Sequence, residues 1–100
     1  LTTDEWEKAI DSITLFWDTP PSQETIVKFL SNSQNILLSA ELDDAPVGQL
    51  IGYILDRWDK NEPMLFLYSV DVAETYQRRG IGKALIAAVR KLGRIEGCSE

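Results

Sequence analysis

One hundred residues, 44% of them hydrophobic and 26% charged, have the size and make-up of one small globular unit. The chain contains no histidine, which removes Ser-His-Asp triads, Cys-His pairs, HExxH zinc sites and histidine-based zinc fingers. Its net charge of −6 is unevenly spread: residues 1–62 carry 12 carboxylates against 4 cations, and residues 63–100 carry 4 against 6. An acidic front half argues against nucleic acid and suits a cationic partner, whereas the basic end can meet an anion.

Trp6, Ala9, Ile10, Ile13, Phe16 and Trp17 follow the i, i+3, i+4, i+7 spacing of an amphipathic helix. Thr2 and Glu5 form the T-x-x-E capping box that would start it, and Thr19-Pro20-Pro21 ends it. Ser22 can cap a second helix that buries Ile26, Phe29 and Leu30, closed by the polar run 31–35. Residues 36–42 read as a strand, 43–48 as a turn and 49–58 as a second strand pairing back. Gly52 within it predicts a bulge or a close backbone neighbour. After a turn at 59–63, residues 64–72 give a third strand, followed by a loop at 73–79. A last helix has Ile81, Leu85, Val89 and Leu92 on one face, turns Lys83, Arg90, Lys91 and Arg94 to water, and stops near Gly97. The predicted order is α-α-β-β-β-α, an α/β (α+β) domain over residues 1–100 with helices packed on an antiparallel sheet. Trp6, Trp17 and Trp58 are expected mainly to pack.

The stretch that carries chemistry runs from Val70 to Lys83. A strand ends, a basic loop follows, and Gly80 and Gly82 open an amphipathic helix. Free N–H groups at a helix start, with the macrodipole behind them, suit phosphate oxygens. Glycines let a phosphate approach the backbone, and Arg78, Arg79 and Lys83 add positive charge. These features predict a diphosphate site. It is neither a P-loop, since position 77 is Gln and Ala84 follows Lys83, nor a G-x-G-x-x-G fingerprint, since Leu85 stands at the sixth position. The plainer reading is a strand–turn–helix whose glycines serve packing only.

Gln77-Arg78-Arg79-Gly80-Ile81-Gly82 resembles the acetyl-CoA motif of the GNAT superfamily, [QR]-x-x-G-x-[GA]. Tyr68-Ser69-Val70-Asp71-Val72 before it and Lys83-Ala84-Leu85-Ile86 after it resemble the family's flanking strand and helix. The resemblance implies an N-acetyltransferase with acetyl-CoA as co-substrate and no metal. It implies that loop amides at Gln77, Arg78, Arg79, Gly80, Ile81, Gly82 and Lys83 hold the pyrophosphate. It also implies that backbone groups of Val70, Asp71 and Val72 pair with the pantetheine arm. Within the family the phrasing is most similar to aminoglycoside acetyltransferases acting on a 3-amino group, which implies a small cationic acceptor. A polyamine or protein amine is also compatible, as is a non-catalytic acetyl-CoA-binding or interaction module.

On this resemblance the acceptor amine attacks the thioester directly, a strand N–H at Val70 or Val72 steadies the oxyanion, and a carboxylate takes a proton. Asp71, Asp56, Glu41 and Asp18 are the candidates for that base, with none preferred. Tyr53 and Tyr68 are expected in the core or sheet, and Cys98 has no assigned role. The family's first strand and C-terminal elements are missing from the 100 residues. The piece is therefore expected to be a poor catalyst alone, and an unpaired motif strand to favour a homodimer. With no apolar run long enough to span a bilayer, no secretory signal and one cysteine, a cytoplasmic setting without membrane partners is expected.

Overall fold

The computed structural model describes residues 1–98. A short 3₁₀ turn, Thr3–Glu5, runs into α1 (Trp6–Phe16). The Glu5 carboxylate reaches back to the Thr2 N–H at 3.2 Å, as the T-x-x-E spacing predicts. The residue before a proline is disfavoured in helical dihedrals, so α1 cannot run on to Pro20. Trp17, at the helix end, is extended (ψ 142°) and exposed, off the helix face to which its spacing had assigned it.

In α2 (Gln23–Ser31), the Ser22 hydroxyl accepts from the Thr25 N–H at 3.2 Å, and Ile26 and Leu30 are buried. Ser22→Ala should leave that amide without its cap and lower the unfolding free energy by about 1 kcal/mol. A urea melt checks this; an unchanged midpoint would mean that the cap contributes nothing.

Three strands, β1 (Asn35–Leu42), β2 (Ala45–Leu55) and β3 (Met64–Val72), form an antiparallel meander in the order β1-β2-β3. The first hairpin is tighter than predicted. Asp43 (φ 52°) and Asp44 (φ 65°) are both left-handed, as the two-residue type I′ turn requires. Hence β2 starts at Ala45 and takes in Pro46, Val47 and Gly48, which the sequence had placed in the turn. Pro46 sits at a register shift opposite Glu41, where an absent N–H is tolerated. At its other end β2 stops at Leu55, opposite Met64, so Trp58 lies on the following loop and is 98% exposed rather than packed. The bulge expected near Gly52 is present. Ile51 pairs with Ser69 and Gly52 with Leu67, which leaves Tyr68 as the extra residue of β3.

The sheet is covered on both faces. On one, Ile36, Leu50 and Ile54 pack with Leu85 and Val89 of α3 (Ile81–Ile95). On the other, Leu37 packs with Ala9 of α1 and with Ile26 and Leu30 of α2. In α3 the buried positions are Leu85, Val89 and Gly93, an i, i+4, i+8 row, and Leu92 is exposed instead. A Cβ at Gly93 would meet Leu65 Cδ2 at 3.2 Å, so the glycine lets α3 lie close on β3. The helix ends in a Schellman motif: Cys98 N–H donates to Gly93 O at 2.8 Å and Gly97 N–H to Arg94 O at 3.1 Å, with Gly97 at φ 80°. Among the described residues no helix is long and apolar enough to cross a membrane.

Candidate functional site

Beyond a 3₁₀ turn (Glu74–Tyr76), the end of β3, the following loop and the start of α3 border a cleft of about 380 Å³. Val72, Gln77, Arg78, Gly80, Ile81, Gly82 and Lys83 line it. Arg78 (φ 65°) and Gly80 (φ 81°) are both left-handed, which turns the chain sharply into the helix. Only at Gly80 does that backbone demand glycine; an added Cβ there would meet nothing within 4 Å. No side chain caps α3. The Ala84 N–H donates to Gly80 O at 3.0 Å, so the amides of Ile81, Gly82 and Lys83 precede the helical ladder.

Whether these glycines serve packing or a ligand can be read from the space around them. A Cβ at Gly82 would meet only Val72 Cγ2, at 3.9 Å, an ordinary contact. Packing therefore does not require glycine at 82, and the open space lies beside the free amides. Gly48 is the packing glycine. A Cβ there would meet Ile81 Cγ2 at 3.1 Å and Asp71 O at 3.2 Å, so Gly48 lets the first turn of α3 settle against β2 and β3. Sequence reasoning missed Gly48 because it lay in an assumed turn; the Asp43-Asp44 pair, read as a two-residue turn, would have placed it in the strand.

Charge at the cleft is positive. Arg78 and Lys83 line it, and among the described residues the recorded ion pairs, Lys8–Glu41 and Arg57–Asp59, involve neither. Arg79 points elsewhere, its guanidinium 5.3 Å from the centre of the Tyr76 ring. The Gln77 side chain donates to Val72 O at 3.1 Å and so fastens the loop to the strand end.

Among the described residues β3 is an edge strand. The Ala73 N–H donates to Val47 O at 2.8 Å. By antiparallel alternation, Asp71 also turns its main-chain groups toward β2, and Val70 and Val72 turn theirs to the open edge. The Asp71 side chain lies on the sheet face covered by α1 and α2, where Ser69 Oγ donates to its Oδ2 at 2.5 Å. Of the other carboxylates, Glu41 lies 3.9 Å from Lys8 Nζ near the first hairpin, and Asp56 follows the far end of β2. Asp18 lies in the α1–α2 connection. Tyr68 is 62% exposed and meets Tyr53 edge-on at 5.9 Å, and Tyr53 in turn meets Phe29 at 6.0 Å. At the opposite end of α3, burial and then the Glu96 charge push the Cys98 thiol up.

The geometry has close counterparts. The sequence profile of the acetyltransferase (GNAT) family matches residues 3–100. An aminoglycoside acetyltransferase from an uncultured soil metagenomic sample, meta-AAC0020, solved with trehalose, superimposes with a TM-score of 0.94 at 29% identity over the whole of this chain and 70% of its own. The same enzyme solved with sisomicin gives a TM-score of 0.93. AAC(6')-Iy, bound to a bisubstrate analogue of CoA and acetylneamine, matches at a TM-score of 0.82 and 24% identity, over all of this chain and 72% of that one. Among curated proteins no match is found. Profile and fold agree: this chain belongs to the acetyltransferase (GNAT) family, and its chemistry is acetyl-CoA-dependent N-acetyl transfer.

Proposed function

We propose that the chain acetylates a primary amine of a small cationic acceptor, an aminoglycoside, and that residues 77–83 hold the pyrophosphate of acetyl-CoA. The observation that carries the cofactor half is the α3 start. Three amides precede the helical ladder beside Gly82, whose missing side chain leaves open space, and Arg78 and Lys83 flank them. Val70 and Val72 offer the outward main-chain groups on which the pantetheine arm would pair as an added strand. Acetyl-CoA bound there supplies a thioester acetyl group: the acceptor nitrogen bonds to its carbonyl carbon, the C–S bond breaks and the thiolate leaves.

The chain's own residues position and deprotonate. A main-chain N–H of Val70 or Val72 steadies the charge on the carbonyl oxygen. Asp71 is the carboxylate best placed to take the ammonium proton, since it shares the motif strand and lies on the opposite face from α3. The amine's second proton, lost as the amide forms, reaches the thiolate through solvent. The net −8 of residues 1–62 favours a cationic acceptor, and sisomicin is bound by a protein 29% identical over the whole chain.

Release of free thiol, followed with enzyme in excess over acetyl-CoA, tests the acceptor. Sisomicin should accelerate it well beyond spermidine or a lysine peptide. Equal rates with all three amines would contradict an aminoglycoside acceptor.

A further inference from the structure

The face of the sheet under α1 and α2 is apolar at Leu37 and Ile51, yet a row of polar side chains crosses it. Gln49 pairs with Ser39 on β1 and with Asp71 on β3, so the three occupy one line across three strands, side chains on one face. From above, Ser12 of α1 donates its hydroxyl to Gln49 Oε1 at 3.1 Å, and both residues are fully buried. Gln49 Nε2 and Ser39 Oγ are also buried, and neither has a partner among the described residues. Turning the amide over changes nothing essential: the hydroxyl can accept as well as donate, and one end of the amide is still left over.

An unmatched buried amide is destabilising, and a leucine in that place would avoid the cost. Its presence in the middle of the sheet, one strand from the motif strand, calls for a use. Side chains opposite one another on neighbouring strands have Cβ atoms about 5 Å apart. A water can bridge one such pair, though not Ser39 and Asp71 together, which stand two strands apart; Asp71 is the neighbour of Gln49 on the motif strand.

We propose that Gln49 is a positioning residue for acetyl transfer, clamped by Ser12 and holding a water against Asp71, so that the Asp71 carboxylate is fixed toward the acceptor amine. The inference rests on the reading of Asp71 as proton acceptor and adds the part that orients it. Ser69 holds one carboxylate oxygen from its own strand; the Gln49 bridge holds the carboxylate from the next. Two supports from different strands leave the side chain one rotamer, which is the condition for efficient proton transfer.

The test is a double-variant cycle on the full chain, read as the saturated rate of thiol release with enzyme in excess. Gln49→Met removes the amide and keeps the volume. It should slow release about tenfold and leave the acetyl-CoA affinity unchanged, because the cofactor edge is untouched. In an Asp71→Asn background the same substitution should change the rate less than about twofold. An equal slowing in both backgrounds, or none in the native one, would overturn the proposal for Gln49 and leave Asp71 standing. A full rate in Asp71→Asn itself would overturn the base assignment, and this inference with it. If Gln49→Met melts below the assay temperature, Ser12→Ala, which releases the Gln49 amide, reads the same bridge, with an expected loss of about two- to threefold that disappears in the Asp71→Asn background.

Discussion

A chain carrying Gly82→Glu is expected to fold as the parent does and to bind acetyl-CoA at least about 100-fold more weakly, a loss near 2.7 kcal/mol. The two halves of this expectation have separate causes. For folding, the new Cβ meets only Val72 Cγ2, at 3.9 Å, and replaces a poor helix former with a good one. A carboxylate in the first turn of α3 also interacts favourably with the helix dipole, so the melting temperature should hold or rise. For binding, the side chain occupies the space beside the free amides of residues 81–83 and sets a negative charge where the pyrophosphate would lie. Calorimetry beside a thermal melt reads both. Gly80 is a poorer probe because its φ of 81° strains any replacement, mixing lost stability with lost binding. Unaltered affinity in Gly82→Glu would mean that the glycines serve the fold alone.

Leu50→Ala should have the largest effect on stability. Leu50 is fully buried in the central strand, in the cluster formed with Ile36, Ile54, Leu85 and Val89. Truncation removes its transfer energy and leaves a cavity that strands on both sides keep from collapsing, a cost of about 2–5 kcal/mol. In a domain of this size each kcal/mol moves the melting temperature by about 4–8 °C, so a fall of more than about 10 °C is expected. Because Leu50 pairs with Val70, loosening here should also weaken acetyl-CoA binding at the edge strand. A melting temperature within about 3 °C of the parent would contradict the assignment of this cluster as the main core.

Much of this was legible in the residues because the signals were local. The T-x-x-E box, the Ser22 cap and the bounds of β3 each depend on side chains within a few positions of one another. The glycine–basic loop was legible for the same reason, its amides being freed by the helix start itself. What escaped depended on neighbours distant in sequence. Asp43-Asp44 looked like the beginning of a long turn, and only strand pairing shows that two left-handed residues suffice. Gly93 rather than Leu92 faces the sheet, where an added Cβ would come within 3.2 Å of Leu65 Cδ2, which periodicity alone does not reveal. Our proposal of Asp71 among four carboxylates draws on the sheet register, which puts Asp71 beside Gln49 and Asp56 beyond the far end of β2. Arg79, grouped by sequence with Arg78 and Lys83, turns instead to Tyr76.

The central claim is that acetyl-CoA seats its pyrophosphate on the first turn of α3 and its arm along β3. Backbone amide resonances followed by nuclear magnetic resonance during an acetyl-CoA titration test this most directly. The predicted result is saturable shifts concentrated at Gly80, Ile81, Gly82 and Lys83, with a second set at Val70 and Val72 and little change across β1. Saturable shifts confined to another surface, or none at the α3 start at millimolar acetyl-CoA, would contradict it.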